Sequence, residues 1–353
     1  MGRPRVLVVD DSVVARRLVS TALASEGSVD VVGVAPDGRV ALANIERLRP
    51  DVVTLDVDMP VMDGLETLEA IRERWPHLTV IMFSTYTARG AQITLDALAL
   101  GANDYVVKPS GAASPTEAMG RIREELLPRI LTLHPGAPPN GTTRPTIAAE
   151  PVSPASGPAV RIDVIAIGVS TGGPTALGTV LPELSSPFPV PVLIVQHMPP
   201  MFTRVLAERL DRTSALRVVE AADGQVLEAG GAWLAPGDRH MTVERAGAQV
   251  RIRTDVGPRE NSCRPSVDPL FRSVAEAYGP HALGIVMTGM GSDGMRGALQ
   301  LQAAGTRVIV QDEASSVVWG MPGAAANAGV CSAVLPLDMI GPKIVRLFAG
   351  EKP

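Results

Sequence analysis

Seven prolines and three glycines fall between Pro135 and Val160, in PGAPPNGTTRPTIAAEPVSPASGPAV, with no aromatic residue among them. Such a run cannot bury enough apolar surface to offset the entropy of ordering it, so it reads as a flexible linker that cuts the chain in two. The division expected is 1–133, a linker over 134–160, and 161–353. Each outer part is long enough for a core of its own, and 353 residues suit about two domains.

Charge and cysteine usage then narrow the partners. A formal net charge of −5, with no run of Lys or Arg, argues against a nucleic-acid or anionic-membrane binder that relies on phosphate neutralisation. Cys263 and Cys331 form no CxxC, which excludes a disulfide framework or a Cys-rich zinc site and suits a reducing compartment. The opening MGRPRVLVVDD has an apolar run too short for a signal-peptide core, and nothing approaches the ~18 apolar residues of a membrane span. The expectation is a soluble cytoplasmic protein with no nucleic-acid partner and no membrane insertion.

Before the linker, short apolar runs (Val6 to Val9, Val52 to Leu55, Val80 to Phe83, Tyr105 to Val107) alternate with helical patterns (Ser12 to Ser25, Leu65 to Arg74, Thr94 to Leu100). That βαβ rhythm predicts a doubly wound parallel sheet. In such sheets ligands bind beyond the carboxyl ends of the strands, where Asp10 and Asp11 follow the first strand and Asp56 the third. Three carboxylates in one pocket repel unless a hard cation neutralises them, and oxygen ligands suit Mg²⁺. Ser84 and Lys108 end two further strands and supply a hydroxyl and a cation for phosphoryl chemistry, with an aspartyl carboxylate as nucleophile. One Asp after a strand is most often a turn or N-cap residue, and Asp11-Ser12 is capping chemistry by default. What favours the functional reading is that these groups fall on successive strand ends.

VVDDS, LDVDMPVMDG, the Ser84-Thr85 pair and DYVVKP together resemble the receiver domain of two-component response regulators. The resemblance implies a five-stranded flavodoxin-like fold and Asp56 as phosphoacceptor, with a histidine kinase as phosphodonor. It also implies Asp10 and Asp11 as Mg²⁺ ligands beside Asp56, with the backbone carbonyl of Asp58 at a further ligand position. Ser84, Tyr105 and Lys108 match the switch positions. Asp58 stands where many relatives carry Glu, a change of little consequence if only the carbonyl binds.

After the linker the α/β rhythm resumes with Val164 to Ile167, Val192 to Val195, Leu283 to Met287 and Arg307 to Val310. The Gly-rich alternating text from Val218 to Thr254 reads as a β-hairpin insertion on a second parallel sheet. Ser170 follows a buried-type strand inside a G-x-S-x-G spacing, at the start of a helix whose free N–H groups can stabilise negative charge. Taken alone, that turn is as often a phosphate cradle. His197 ends the next apolar run, and a later run, HALGIVMTGMGSDG, ends in a Gly-rich loop carrying Asp293. A serine nucleophile needs a base in reach and an acid to orient that base, and these two can fill the roles if their strands neighbour that of Ser170. The loop Gly289-Met290-Gly291 offers backbone N–H donors for an oxyanion. The bland alternatives are a strand-capping histidine and a turn aspartate. His240, the one competing base, falls in the hairpin region and reads as structural or substrate-lining.

The order Ser, His, Asp differs from that of α/β-hydrolases and of the two best-known serine protease classes. GVSTGG, QHMPP, LAPGDRHM, RPSVDPLF and TGMGSDG, placed after a receiver and a proline-rich linker, are similar to the CheB family of chemotaxis protein-glutamate methylesterases and glutamine deamidases. The resemblance implies Ser170, His197 and Asp293 as the catalytic serine, histidine and aspartate. Thr171 and Met290 take the substrate-contacting and oxyanion positions. Val169 stands where relatives often have Ala. No cofactor is implied for hydrolysis, and methyl-accepting chemotaxis receptors are the implied substrates of a monomeric enzyme. A receiver tethered to a hydrolase further suggests that the unphosphorylated receiver covers the Ser170 cleft and that phosphorylation opens it. A non-catalytic signalling adaptor and a hydrolase of small esters remain as alternatives. A DNA-binding output domain is disfavoured, because neither a helix-turn-helix pattern nor a basic stripe is present.

Overall fold

The computed structural model describes residues 2–109, 111, 113–134 and 161–350. The chain divides into two compact units whose boundary falls between Pro139 and Asn140. The proline-rich run read as a linker lies outside the described residues apart from His134.

The first unit is a five-stranded parallel sheet in the order β2-β1-β3-β4-β5. Its strands are β1 (Arg5–Val9), β2 (Asp30–Ala35), β3 (Val52–Asp56), β4 (Thr79–Ser84) and β5 (Asp104–Val107). The connecting helices are α1 (Val13–Ala24), α2 (Gly38–Leu48), α3 (Gly64–Arg74) and α4 (Ala88–Ala99), and α5 (Pro115–Leu133) closes the unit. β1, β3 and β4 are near-continuous apolar runs because helices cover both faces of the sheet. Each helix begins on a side-chain cap, from Ser12, Asp37, Asp63, Thr87 and Ser114 in turn, which accepts an N–H of the first turn. The strand order reverses at β1/β3, so the carboxyl ends of those two strands open onto one crevice.

The second unit holds a seven-stranded sheet in the order β14-β13-β12-β6-β7-β9-β8, with every pairing parallel. The strands are β6 (Val164–Val169), β7 (Val192–Gln196), β8 (Arg217–Glu220), β9 (Gly231–Leu234), β12 (Ala282–Val286), β13 (Arg307–Gln311) and β14 (Ala333–Leu335). α6 (Gly173–Val180), α7 (Phe202–Thr213), α8 (Val267–Tyr278), α9 (Met295–Ala303), α10 (Met321–Asn327) and α11 (Leu337–Phe348) pack around it. The expected hairpin is present as β10 (His240–Ala246) and β11 (Gln249–Asp255), a separate antiparallel pair. It occupies only the second half of the Gly-rich stretch. The first half supplies β8 and β9 to the main sheet, because the return run between them pairs with β11 instead. Gly224 N–H donates to Ile252 O, Ile252 N–H to Gln225 O and Leu227 N–H to Val250 O, at 2.8, 2.8 and 3.0 Å.

The chain winds outward from β6 to β7 on one side and later from β12 to β14 on the other, so the order reverses at β6/β12. α8 crosses this point. Val267, Leu270, Phe271 and Val274 recur at helical spacing and are all buried in one core cluster with Val164, Ala166 and Val286. Burying Phe271 alone is worth roughly 1.5–3 kcal/mol. Gly168 lets the first residue of α8 sit against β6, since a Cβ there would lie 2.4 Å from a Val267 methyl. Gly168→Ala is expected to destabilise the second unit by about 1–3 kcal/mol through overpacking, read as a lower urea midpoint.

Candidate active site

In the first unit Asp10, Asp11 and Asp56 place carboxylate oxygens within 4.8 Å of one another. Lys108, which follows β5, reaches 2.8 Å from both Asp10 Oδ2 and Asp56 Oδ1. Ser12 N–H also donates to Asp10 Oδ1, and Val57 N–H to Asp56 Oδ1. Burial pushes the Asp56 carboxyl up to about 6, against the pull of Lys108 and with Asp10 adding to the rise. Burial works to lower the Lys108 pKa as well, but its bonds to Asp10 and Asp56 outweigh that and the ammonium is favoured. Two buried carboxylates share one ammonium, so the pocket retains unbalanced negative charge, and a set made only of oxygen ligands fits a hard divalent cation. The Asp58 carboxylate is not in the cluster. It lies half-exposed, 3.7 Å from Arg89. Ser84, fully buried, donates to Thr85 O and Gly90 O at 3.3 and 3.2 Å, and the Tyr105 ring is buried too.

In the second unit the switch point places Ser170 after β6, His197 after β7, and Asp293 in the loop after β12. β6 lies between β7 and β12, so the three positions sit on adjacent strand ends of one rim. His197 N–H donates to Val169 O and Ser170 N–H to Thr288 O, extending the ladder on both sides of the serine. The His197 Nε2–H donates to Asp293 Oδ2 at 2.7 Å. Among the described residues no hydrogen bond joins the Ser170 hydroxyl to His197, whose Nδ1 lies 3.5 Å from Cys263 Sγ. The histidine–aspartate pair is therefore formed, whereas the serine–histidine contact is not.

Asp293 sits on the N-terminus of α8. Its Oδ2 also accepts the Val267 N–H at 2.7 Å. Its Oδ1 accepts from Ser266 Oγ and Asn261 Nδ2 at 2.7 Å, Gly294 N–H at 2.9 Å and Asp268 N–H at 3.2 Å. Burial alone would raise this carboxyl, but the bonds from His197, Val267 and Ser266 win and hold it down at about 2. Burial likewise disfavours the imidazolium, yet the bonds to Asp293 and Cys263 overcome it and hold His197 above its ordinary 6.5. His240 is buried, and its Nε2–H donates to Pro258 O at 2.9 Å while its Nδ1 accepts the Ser266 N–H at 3.3 Å.

Two expected anion donors are committed elsewhere. Gly289 N–H donates to Val318 O, and Gly173 N–H, at the start of α6, donates to Ser170 O, with Pro174 next offering no N–H. Gly289 still matters sterically, because a Cβ there would lie 2.8 Å from Ser170 Cβ. Thr171 is buried, and its carbonyl accepts from Thr288 Oγ1, which ties it to the strand end leading to Met290.

Sequence reasoning missed Gln196, whose buried amide donates to both Ser170 O and His197 O at 2.9 and 3.3 Å. Its signal was a polar residue closing an all-apolar run. It also missed Ser266 and Asn261, which carry no signal of their own, and it treated Cys263 as an isolated thiol.

Residues 165–344 match the family model "CheB methylesterase" and residues 6–119 the model "Response regulator receiver domain". The chain belongs to the CheB methylesterase family. A protein-glutamate methylesterase/protein-glutamine glutaminase of Trichodesmium erythraeum is 48% identical, the match covering 98% of this chain and 99% of that one. One from a Nocardioides species is 49% identical over 99% of this chain and 96% of its own length. The crystal structure of the Thermotoga maritima CheB methylesterase catalytic domain is similar at TM-score 0.52 and 40% identity, covering 53% of this chain and 100% of that domain. Both units of this CheB-family chain are thus accounted for, the receiver by sequence and the catalytic domain by sequence and fold.

The Asp293 carboxyl is depressed, so its stabilising contribution is complete above the ordinary 3.8 and is lost as pH falls through about 2. Asp293→Ala is expected to destabilise the second unit by about 2 kcal/mol or more at pH 7. The gap to wild type in urea unfolding should narrow by roughly half at pH 3.

Proposed function

We propose that this chain removes methyl esters from glutamate side chains of chemotaxis receptors, and deamidates glutamines there, under control of a phosphoryl group on Asp56. The observation that carries the reading is the buried His197–Asp293 bond on the strand ends that flank Ser170, in a chain nearly half identical to named methylesterases over its whole length.

In this reading Ser170 Oγ attacks the ester carbonyl carbon and its proton passes to His197. Nε2 is committed to Asp293, so Nδ1 is the nitrogen left to take that proton, and the Cys263 thiol gives way to the serine hydroxyl. Asp293 stays ionised and balances the imidazolium. The C–O bond to the methoxy group then breaks, Nδ1–H protonates it, and methanol leaves. Water, deprotonated by the same nitrogen, cleaves the acyl-enzyme and regenerates Ser170. Glutamine deamidation follows the same course with ammonia as the leaving group. Thr171 and Met290 are assigned to holding the substrate and its oxyanion.

Residues 1–133 act as the receiver and 161–353 as the hydrolase, with a histidine kinase as phosphodonor in the cytoplasm and the enzyme as a monomer. No helix among the described residues is long and apolar enough to cross a membrane. Asp10, Asp11 and Asp56, with the Asp58 carbonyl, would hold Mg²⁺, which when bound supplies the positive charge that phosphoryl transfer to Asp56 needs. Lys108 pairs with a phosphoryl oxygen, and Ser84 leaves its backbone partners to follow it.

Methanol release from methylated receptor membranes tests the activity. Ser170→Ala is expected to reduce it ~1,000-fold or more, and substantial residual turnover would remove the nucleophile assignment. A small-molecule phosphodonor with Mg²⁺ should stimulate the full-length wild type and leave Asp56→Asn unstimulated. The neutral imidazole is the working base and its pKa is raised, so raising the pH frees it. kcat/KM should climb with pH along a limb centred above 6.5. A limb centred below 6.5 would contradict the ion-pair geometry.

A further inference from the structure

The turn that carries Cys263 also carries a second group aimed at the histidine–aspartate pair. Glu260 and Cys263 exchange backbone hydrogen bonds, N–H to O at 3.2 and 2.8 Å, and between them Asn261 and Ser262 adopt φ of +51° and +64°. Of the two, Asn enters this left-handed region readily and Ser does so rarely. Arg272 on α8 anchors the turn by gripping both Glu260 oxygens at 2.8 and 2.6 Å. From this position the Asn261 Nδ2 donates to Asp293 Oδ1 at 2.7 Å and to Asp268 Oδ2 at 2.9 Å. One amide nitrogen thus joins two buried carboxylates. The other Asp268 oxygen accepts the Gly297 N–H at 2.7 Å.

We propose that Asn261 is a positioning residue for the hydrolase, keeping Asp293 and Asp268 side by side and both ionised so that Asp293 Oδ2 stays aligned on His197. The inference rests on the reading of Ser170, His197 and Asp293 given above. Its physical basis is that two adjacent buried carboxylates remain ionised only if donors or cations offset their repulsion, and otherwise share a proton. Burial pushes the Asp268 carboxyl up, the Gly297 and Asn261 bonds pull it back, and the Asp293 charge pushes it up again. The titratable and charged groups around the pair are His197 on Asp293, Cys263 on the far side of the imidazole, Glu260 with Arg272 behind the turn, and His240 beneath Ser266. None of these side chains touches both carboxylates; among the described residues Asn261 does so through its side chain. Without its amide the two share a proton, the imidazolium faces one negative charge rather than two, and the base loses affinity for its proton.

The experiment is the pH profile of methanol release by the full-length protein with phosphodonor and Mg²⁺. In Asn261→Ala, kcat is expected to fall about 10-fold or more, the value of one hydrogen bond to a charged group, with KM within about 2-fold. The acid limb of kcat/KM should move to lower pH. Asn261→Asp fills the same space and keeps a donor only while protonated, so above the rising His197 limb its profile should gain a fall in activity with pH that wild type lacks. Asp268→Asn also leaves the imidazolium facing one negative charge, so it should lower the limb by itself, and Asn261→Ala added to it should move the limb little further. A role confined to stability would lower the unfolding midpoint and leave the acid limb in place. Wild-type profiles in Asn261→Ala and Asn261→Asp, with Ser170→Ala inactive, overturn this inference alone. An active Ser170→Ala overturns the triad reading and this inference with it.

Discussion

A buried carboxylate is costly unless its charge is met on every side, and the catalytic unit is arranged around one such group. Asp293 accepts six hydrogen bonds from described residues: two from backbone at the start of α8, one from its own loop, and three from His197, Ser266 and Asn261. Much of the surrounding structure serves this arrangement. Gly168 permits α8 to approach β6, His240 holds the Ser266 N–H, and the Glu260–Arg272 pair fixes the turn that carries Asn261 and Cys263. The helix N-terminus is suited to the task because its first N–H groups have no partner within the helix and point at the anion.

The receiver meets the same electrostatic problem and leaves it partly unsolved. Asp10 and Asp56 divide one ammonium between them, and Asp11 stands beside them at the rim. An incompletely neutralised pocket suits a phosphorylation site, where a cation and a phosphoryl group must come and go. Asp293, by contrast, has donors on both oxygens and is held in place. Both units place their chemistry where the strand order reverses, since only there do neighbouring strand ends diverge enough to admit a ligand.

Much of the site was legible because chemistry in parallel α/β sheets concentrates at the carboxyl ends of strands, and those ends can be read from apolar runs. Asp10, Asp56, Lys108, Ser170 and His197 all closed such runs, and Asp293 lay in the Gly-rich loop after one. The short strands β8 and β9 were read with the hairpin because glycine-rich alternation looks alike in both settings. What separates them is a pairing partner, β11, further along the chain. Gly289 looked available as an anion donor, yet its N–H is taken by Val318 O, which only the folded chain brings near, and the Gly173 N–H is taken within its own turn by Ser170 O.

The residues by themselves determined two α/β units and which polar side chains close their strands, because hydrophobic period and strand-end position are local properties of a chain. Tertiary structure alone decided which nitrogen of His197 faces Asp293, that a thiol rather than the serine stands at the other, and that Asn261 joins two carboxylates. These are contacts between segments far apart in sequence, set by how α8 and the turn before it pack across the switch point. No local pattern encodes the orientation of a ring or an amide.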